Sequence, residues 1–166
     1  MNTSPITFRT EVRKEDRGNV RKIVTSTGFF HPYEIDIAIE LVDERLAKGE
    51  SSGYFFLFAE ENGRTVGYTA FGPIACTQAS YDLFWIAVHG GCRGKGLGKM
   101  LMARTEEIMK RMGALRVYIE TSSREIYVPT RAFYLTCDYR QETTLEDFYA
   151  PGDDKVIFVK ALSQTA

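Results

Sequence analysis

Apolar and polar positions along this chain repeat with two periods, and the periods alternate. Strand-like runs occur at Ile6 to Val12, Tyr54 to Glu60, Thr65 to Phe71, Tyr81 to Val88, Leu115 to Glu120, Tyr139 to Phe148 and Lys155 to Ala161. They are rich in aromatic and β-branched residues, which fit a pleated, half-buried surface. Helical spacing fills the gaps. Val20, Ile23 and Val24 share one face of a helix that Asp16 can cap and that runs to about Gly28. Ile35, Ile39, Val42 and Leu46 line a second helix, with Pro32 in its first turn and its stop at Gly49. Leu97, Leu101, Ile108 and Met112, with Thr105 between them, line a third from about Gly98 to Met112, and Gly113 is its C-cap. Its Glu106–Lys110 and Glu107–Arg111 spacings predict ion pairs on the wet side. A short helix is predicted from Pro129 through Cys137.

Turn chemistry joins these runs. Glu61-Asn62-Gly63-Arg64 carries the Asn-Gly signal of a tight hairpin, and Ala150-Pro151-Gly152-Asp153-Asp154 separates the last two strands. The element string predicts an α/β fold: a mixed sheet with one strand–loop–helix–strand unit at its centre. No repeat, linker or low-complexity segment interrupts it, so residues 1–166 are expected to form one domain.

Composition narrows the function classes. Hydrophobic residues make up 44% and charged residues 26%, and 21 basic against 22 acidic side chains leave a net charge of −1. Nothing in that balance favours a nucleic-acid partner. The longest apolar run, Tyr54 to Ala59, is too short to span a bilayer, and Met1 to Asp16 has no apolar core resembling a signal peptide. Cys76, Cys92 and Cys137 are odd in number and lack metal-ligand spacing, which fits reduced thiols. The expectation is a cytoplasmic protein, monomeric or homodimeric, without a metal and without a membrane partner.

The chemistry concentrates in Cys92-Arg93-Gly94-Lys95-Gly96-Leu97-Gly98-Lys99, between a predicted strand and the clearest predicted helix. Glycine lets the backbone take positive φ, so several N–H groups can point into one hollow beside the positive end of a helix. Such a loop suits an anion, above all a pyrophosphate. The named glycine motifs separate on spacing. A Walker loop ending at Gly98-Lys99 needs a glycine where Arg93 stands and a hydroxyl residue where Met100 stands. The dinucleotide fingerprint accepts Gly94 and Gly96 but needs a third glycine where Lys99 stands, and it usually opens a first βαβ unit. Neither motif fits.

The segment Arg93-Gly94-Lys95-Gly96-Leu97-Gly98 does resemble the Arg/Gln-x-x-Gly-x-Gly/Ala signature of the GNAT superfamily of N-acetyltransferases. A strand ending in Ile86-Ala87-Val88 precedes it, and Ala132-Phe133-Tyr134 followed by Tyr139 is similar to the family's helix with its Phe-Tyr pair. The likeness in element order extends over essentially the whole chain. It implies about seven strands and about four helices, mostly antiparallel, with the fourth and fifth strands splayed. It also implies acetyl-CoA as co-substrate. Backbone groups of Ile86, Ala87 and Val88 would pair with the pantetheine arm. The N–H groups from Arg93 through Gly94, Lys95, Gly96, Leu97 and Gly98 to Lys99 would take the pyrophosphate.

An acetyl transfer to an amine needs a base for the ammonium, an N–H donor for the carbonyl oxygen and an acid for the leaving thiolate. The resemblance gives Tyr134 the acid role, close to the CoA sulfur, and the backbone near Ile86 the donor role. The base stays open. The family often has a Glu or His where Phe84 or Asp82 stands, and Phe84 cannot accept a proton. Asp82 is the first candidate, Glu120 the second, and a base acting through ordered water the third. Phe29, Phe30, His31 and Phe84 are the expected acceptor-side residues, with Phe148 and Tyr149 as a further wall or as a cover on the sheet. Trp85 is expected in the core, His89 at the turn into the loop, and Asp153-Asp154 in a solvated turn. Arg124 and Arg131 could reach a CoA phosphate or simply be solvated. The acceptor, whether a small molecule or a peptide amine, is not encoded in any motif. Alternative readings are a non-catalytic acyl-CoA sensor on the same fold, or transfer of a different acyl group.

Overall fold

Asn62 and Gly63 both adopt positive φ, 53° and 72°, and turn the chain through a two-residue hairpin. Around it the computed structural model, which describes residues 5–163, orders β1 (Thr7–Arg9), α1 (Asp16–Thr27), α2 (Pro32–Lys48), β2 (Phe55–Glu61), β3 (Arg64–Pro73) and β4 (Ser80–Val88). Then follow α3 (Leu97–Arg111), β5 (Arg116–Ser122), α4 (Val128–Thr136), β6 (Arg140–Ala150) and β7 (Asp153–Ala161). The seven strands line up as β1-β2-β3-β4-β5-β7-β6. The β1–β2, β2–β3, β5–β7 and β6–β7 pairs are antiparallel. The β4–β5 pair is parallel, as a crossover through a helix requires. Its ladder holds only three pairs, from Ser80–Arg116 to Asp82–Tyr118, and ends well short of Val88.

The chain divides into two units, one from the residues up to Gly72 with Trp85–Thr105, the other from Pro73–Phe84 with the residues from Glu106 onward. In the first, α1 and α2 bury Val20, Ile23, Val24, Ala38, Ile39 and Val42 against Phe56, Phe58, Tyr68 and Ala70. Each large side chain so buried contributes about 1.5–3 kcal/mol. On the other face of β3, a Cβ at Gly67 would come within 2.9 Å of Leu101 Cδ1 and 3.2 Å of the Ala87 carbonyl oxygen. Glycine therefore lets α3 and the end of β4 close onto β3.

In the second unit, Val117, Ile119, Thr121, Val156 and Phe158 form the buried face of β5 and β7. Tyr81 donates its hydroxyl to the Met112 carbonyl at 3.1 Å. The Lys160 ammonium donates to Glu106 Oε2 and to the Cys137 carbonyl, both at 2.9 Å. β6 is exposed along its whole length. Its pairing with β7 shifts between Leu145 and Ala150, where Asp147 takes a φ of 51°. Asp147 Oδ1 accepts from Gly152 N–H at 2.7 Å, and Asp154 Oδ1 accepts from Asp147 N–H at 2.8 Å.

Four local expectations change. Asp16 opens α1 but does not cap it, because its carboxylate is taken by Arg9, by the Arg13 N–H and by Asn19. The buried stripe of α3 is Leu97, Leu101, Met102, Thr105 and Met109, and Ile108 and Met112 are only half-buried. Glu106 belongs with Lys160 at 2.9 Å rather than with Lys110, whereas the Glu107–Arg111 pair forms at 3.8 Å. β1 is also shorter than the alternation suggests: it ends at Arg9, whose side chain binds Asp16 and Glu60.

Candidate active site

The first unit builds a loop from the end of β4. His89 N–H donates to the Val66 carbonyl at 2.8 Å, and Cys92 N–H donates back to the His89 carbonyl at 2.8 Å. Gly91 N–H donates to His89 Nδ1 at 3.1 Å, so this histidine shapes the turn, as its place in the sequence suggests. Gly90 N–H donates to Ser26 Oγ at 2.9 Å, and a Cβ at Gly90 would sit 2.7 Å from the Ser26 carbonyl oxygen. The last turn of α1 thus clamps the loop.

Gly94 and Gly96 then take φ of 78° and 76°, a region that strains any residue with a Cβ. Neither has a heavy atom within 4 Å of where a Cβ would stand, so the hollow over them is open. Met100 N–H donates to the Gly96 carbonyl at 3.2 Å and starts the α3 ladder. The N–H groups of Leu97, Gly98 and Lys99 therefore lie ahead of the ladder and have no intrahelical acceptor. Left-handed glycines in front of a 15-residue helix form a cradle whose donors and dipole fit a pyrophosphate. Lys95 and Lys99 are exposed beside it. Arg93 places its guanidinium 4.7 Å over the Phe29 ring.

Phe29 continues into the α1–α2 connection. Phe30 packs on Trp85 with centroids 4.8 Å apart, which sets Trp85 against the core cluster as expected. His31 stacks on Tyr33 at 5.4 Å, and its N–H donates to Glu34 Oε2 at 2.7 Å at the head of α2. Ala87 is buried and its neighbours Ile86 and Val88 are half-buried. A cavity of about 1190 Å³ in the same unit is lined by Arg9, Asp16, Glu60, Arg64 and His89 among others. It shares only His89, Gly91 and Cys92 with the loop and does not reach Gly94 or Gly96.

The second unit carries the candidate proton-transfer groups. The pairings Asp82–Tyr118 and Ser122–Lys155 put Asp82, Glu120 and Lys155 on one face of β4, β5 and β7. Burial first, then the Glu120 charge, lifts the Asp82 carboxyl to about 6, and the Lys155 ammonium opposes the shift. Lys155 Nζ lies 2.7 Å from Glu120 Oε2, 3.7 Å from the Phe148 ring centroid and 5.8 Å from that of Tyr149. Phe84 is 38% exposed. Tyr134 is buried against Tyr139, at 6.4 Å, and Phe158, at 5.5 Å between centroids. Burial, with smaller contributions from Tyr127 and Cys137, raises the Tyr134 hydroxyl well above its ordinary value of 10.0. It holds its proton at every physiological pH.

The remaining arginines are committed locally. Arg131 Nη1 donates to the Ser122 and Arg124 carbonyls at 2.7 and 3.0 Å, and Arg124 pairs with Asp153 at 3.4 Å. They lock the connection from β5 to α4. Asp153 also accepts a short hydrogen bond from Ser122, so it is not merely a solvated turn residue. Among the described residues no group of His, Cys, Asp and Glu side chains is arranged to hold a metal ion. Sequence reasoning passed over Lys155, reading it only as the start of the last strand. The signal that finds it is the register with Ser122, which puts it diagonal to Glu120.

The profile of the acetyltransferase (GNAT) family matches residues 22–139. The chain belongs to the GNAT family. The crystal structure of a protein assigned to that family from Desulfovibrio desulfuricans is 41% identical to this GNAT chain. It superposes with a TM-score of 0.94, covering 96% of this chain and all 100% of the other. An uncharacterised N-acetyltransferase of Methanocaldococcus jannaschii is 30% identical over 105 residues, which span 63% of this chain and 65% of that relative. The PaiA N-acetyltransferase of Thermoplasma acidophilum, solved with coenzyme A, shares the fold at a TM-score of 0.71 and 19% identity, over 95% and 99% of the two chains. The GNAT fold accounts for the seven strands, the four helices and the parallel β4–β5 pair. No helix among the described residues is long and apolar enough to cross a membrane.

Proposed function

We propose that this GNAT protein is an acetyl-CoA-dependent N-acetyltransferase that moves an acetyl group directly to a primary amine. The observation that carries the reading is the loop from Arg93 to Lys99, with Gly94 and Gly96 left-handed ahead of the α3 ladder. That a relative of this fold was solved with coenzyme A supports the same cofactor here. We further propose that residues 1–166 act as one domain, in the cytoplasm, without a metal.

Acetyl-CoA supplies an acetyl group activated as a thioester. The loop N–H groups bind the pyrophosphate, and Ile86 and Val88 offer main-chain groups to the pantetheine arm as an added strand would find them. Asp82 takes a proton from the acceptor ammonium, which is otherwise charged at neutral pH and unable to attack. The backbone N–H near Ile86 donates to the carbonyl oxygen as negative charge gathers there. Tyr134 gives its proton to the leaving sulfur. Phe84, Phe29, Phe30 and His31 contact the acceptor. Calorimetry with acetyl-CoA tests the foundation of this scheme. Saturable binding is expected, weakened by Gly96→Val. Absence of binding up to about 1 mM, some 4 kcal/mol, would remove it.

A further inference from the structure

We propose that Lys155 is a positioning residue that pins the Glu120 carboxylate and leaves Asp82 as the proton acceptor on their shared face. This rests on the reading of Asp82 as the base. The two carboxylates are exposed to different company. Glu120 is held at 2.7 Å by the Lys155 ammonium, whereas Asp82 has no hydrogen bond or ion pair among the described residues. The Lys155 side chain is only 12% exposed, while that of Glu120 is 49% exposed.

A cation so far out of water needs compensation on every side. Glu120 supplies it from β5. The faces of Phe148 and Tyr149, at 3.7 and 5.8 Å, supply it from β6, as the negative face of an aromatic ring does for an ammonium. The register fixes the geometry, since Lys155 stands opposite Ser122 and reaches diagonally to Glu120. Glu120 is thereby turned toward a permanent partner. A carboxylate so engaged is a poor acceptor for a substrate proton.

Among the described residues the titratable groups that face Asp82 are Tyr118 and Glu120 from β5 and Lys155 from β7, and Ile74, whose N–H donates to the Ser80 carbonyl beyond the end of β3, carries no charge. Burial and Glu120 make Asp82 reluctant to ionise, and Lys155 moderates both. One lysine thus engages Glu120 and not Asp82, which divides the roles of two like groups.

A carboxyl titration by ¹³C NMR on the full chain reads this without a known acceptor. Lys155→Met is expected to move the Asp82 midpoint up by about half a unit or more. Lys155→Arg restores it, and Glu120→Gln moves it down. An Asp82 midpoint that stays in place in Lys155→Met, or is not restored by arginine, overturns the proposal. If Lys155→Met does not fold, Glu120→Gln reads the same coupling with Lys155 retained, and an unmoved midpoint there is equally fatal. Turnover of Asp82→Asn separates the two ideas. Retention of the native acidic limb would end the reading of Asp82 as base, while the NMR shift still decides the role of Lys155.

Discussion

The hydroxyls of Thr69 and Thr105 share a hydrogen bond of 2.7 Å with both side chains wholly out of water. It is the polar fastening between β3 and α3 in an apolar seam. Replacing one threonine by valine leaves the other hydroxyl buried and unpaired, at a cost of about 1–3 kcal/mol. Replacing both removes the orphan, so the double variant is expected to lose less than the sum of the singles. Denaturant unfolding of the four proteins measures this.

Asp16 is fully buried and accepts from Arg9 Nη1 and Nη2 at 2.9 Å, Arg13 N–H at 2.8 Å and Asn19 Nδ2 at 3.1 Å. Burial alone would raise its carboxyl, but these hydrogen bonds and the Arg9 charge outweigh it and hold the group below 3.8. The depressed value means that stability from this group is complete above 3.8 and is lost as pH falls through the folded-state value. Asp16→Ala, which takes from Arg9 the more buried of its two carboxylate partners, should cost about 3–5 kcal/mol at neutral pH. Melting curves of Asp16→Asn should decline less steeply on acidification than those of the native chain.

Gly90 and Gly91 make a matched pair for testing the clamp on the loop. A Cβ at Gly90 meets the Ser26 carbonyl oxygen at 2.7 Å, a backbone atom that cannot step aside. At Gly91 the nearest atom is His89 Nδ1 at 3.5 Å, an ordinary contact. Gly90→Ala should therefore cost about 1–3 kcal/mol and weaken acetyl-CoA binding by calorimetry. Gly91→Ala should do neither.

Tyr134→Phe keeps the ring packed on Phe158 and removes only the hydroxyl with its proton. About 10²–10⁴-fold should disappear from kcat, with acetyl-CoA affinity changed no more than a few-fold. Steady-state rates beside calorimetry distinguish this from a packing role, which would move affinity and melting temperature together.

Asp82 should leave its mark on the acidic side of the pH profile. A base whose conjugate acid titrates near 6 is protonated below that pH, so kcat/KM should fall tenfold per unit there. Asp82→Asn should lower the plateau and abolish that limb. A variant profile that superimposes on the native one would exclude the assignment.

Much of this frame was legible because local chemistry and fold agreed. Asn62-Gly63 could make only a tight hairpin, Gly28 and Gly113 end their helices with positive φ, and Gly94 and Gly96 bend as the loop pattern required. The strands and helices fell within a few residues of their predicted ends. What stayed hidden depends on partners distant in sequence. Asp16 reads as a cap until Arg9, itself held by Glu60, is brought beside it, and Glu106 reads as a surface charge until β7 delivers Lys160. Met109 displaces Ile108 from the core because the helix is rotated by what it packs on, which its own periodicity resolves only coarsely. Lys155 was invisible for the same reason, since its meaning comes from β5.

The kink at Asp147 has a consequence for the protein in a crowded solution. β6 ends the sheet, and Leu145, Phe148 and Tyr149 are each at least 40% exposed along it. A straight edge of that length and oiliness would invite another chain to add a strand and begin a fibre. The left-handed residue, tied to Gly152 and Asp154, breaks the row of free amides in the middle and leaves no long flat template.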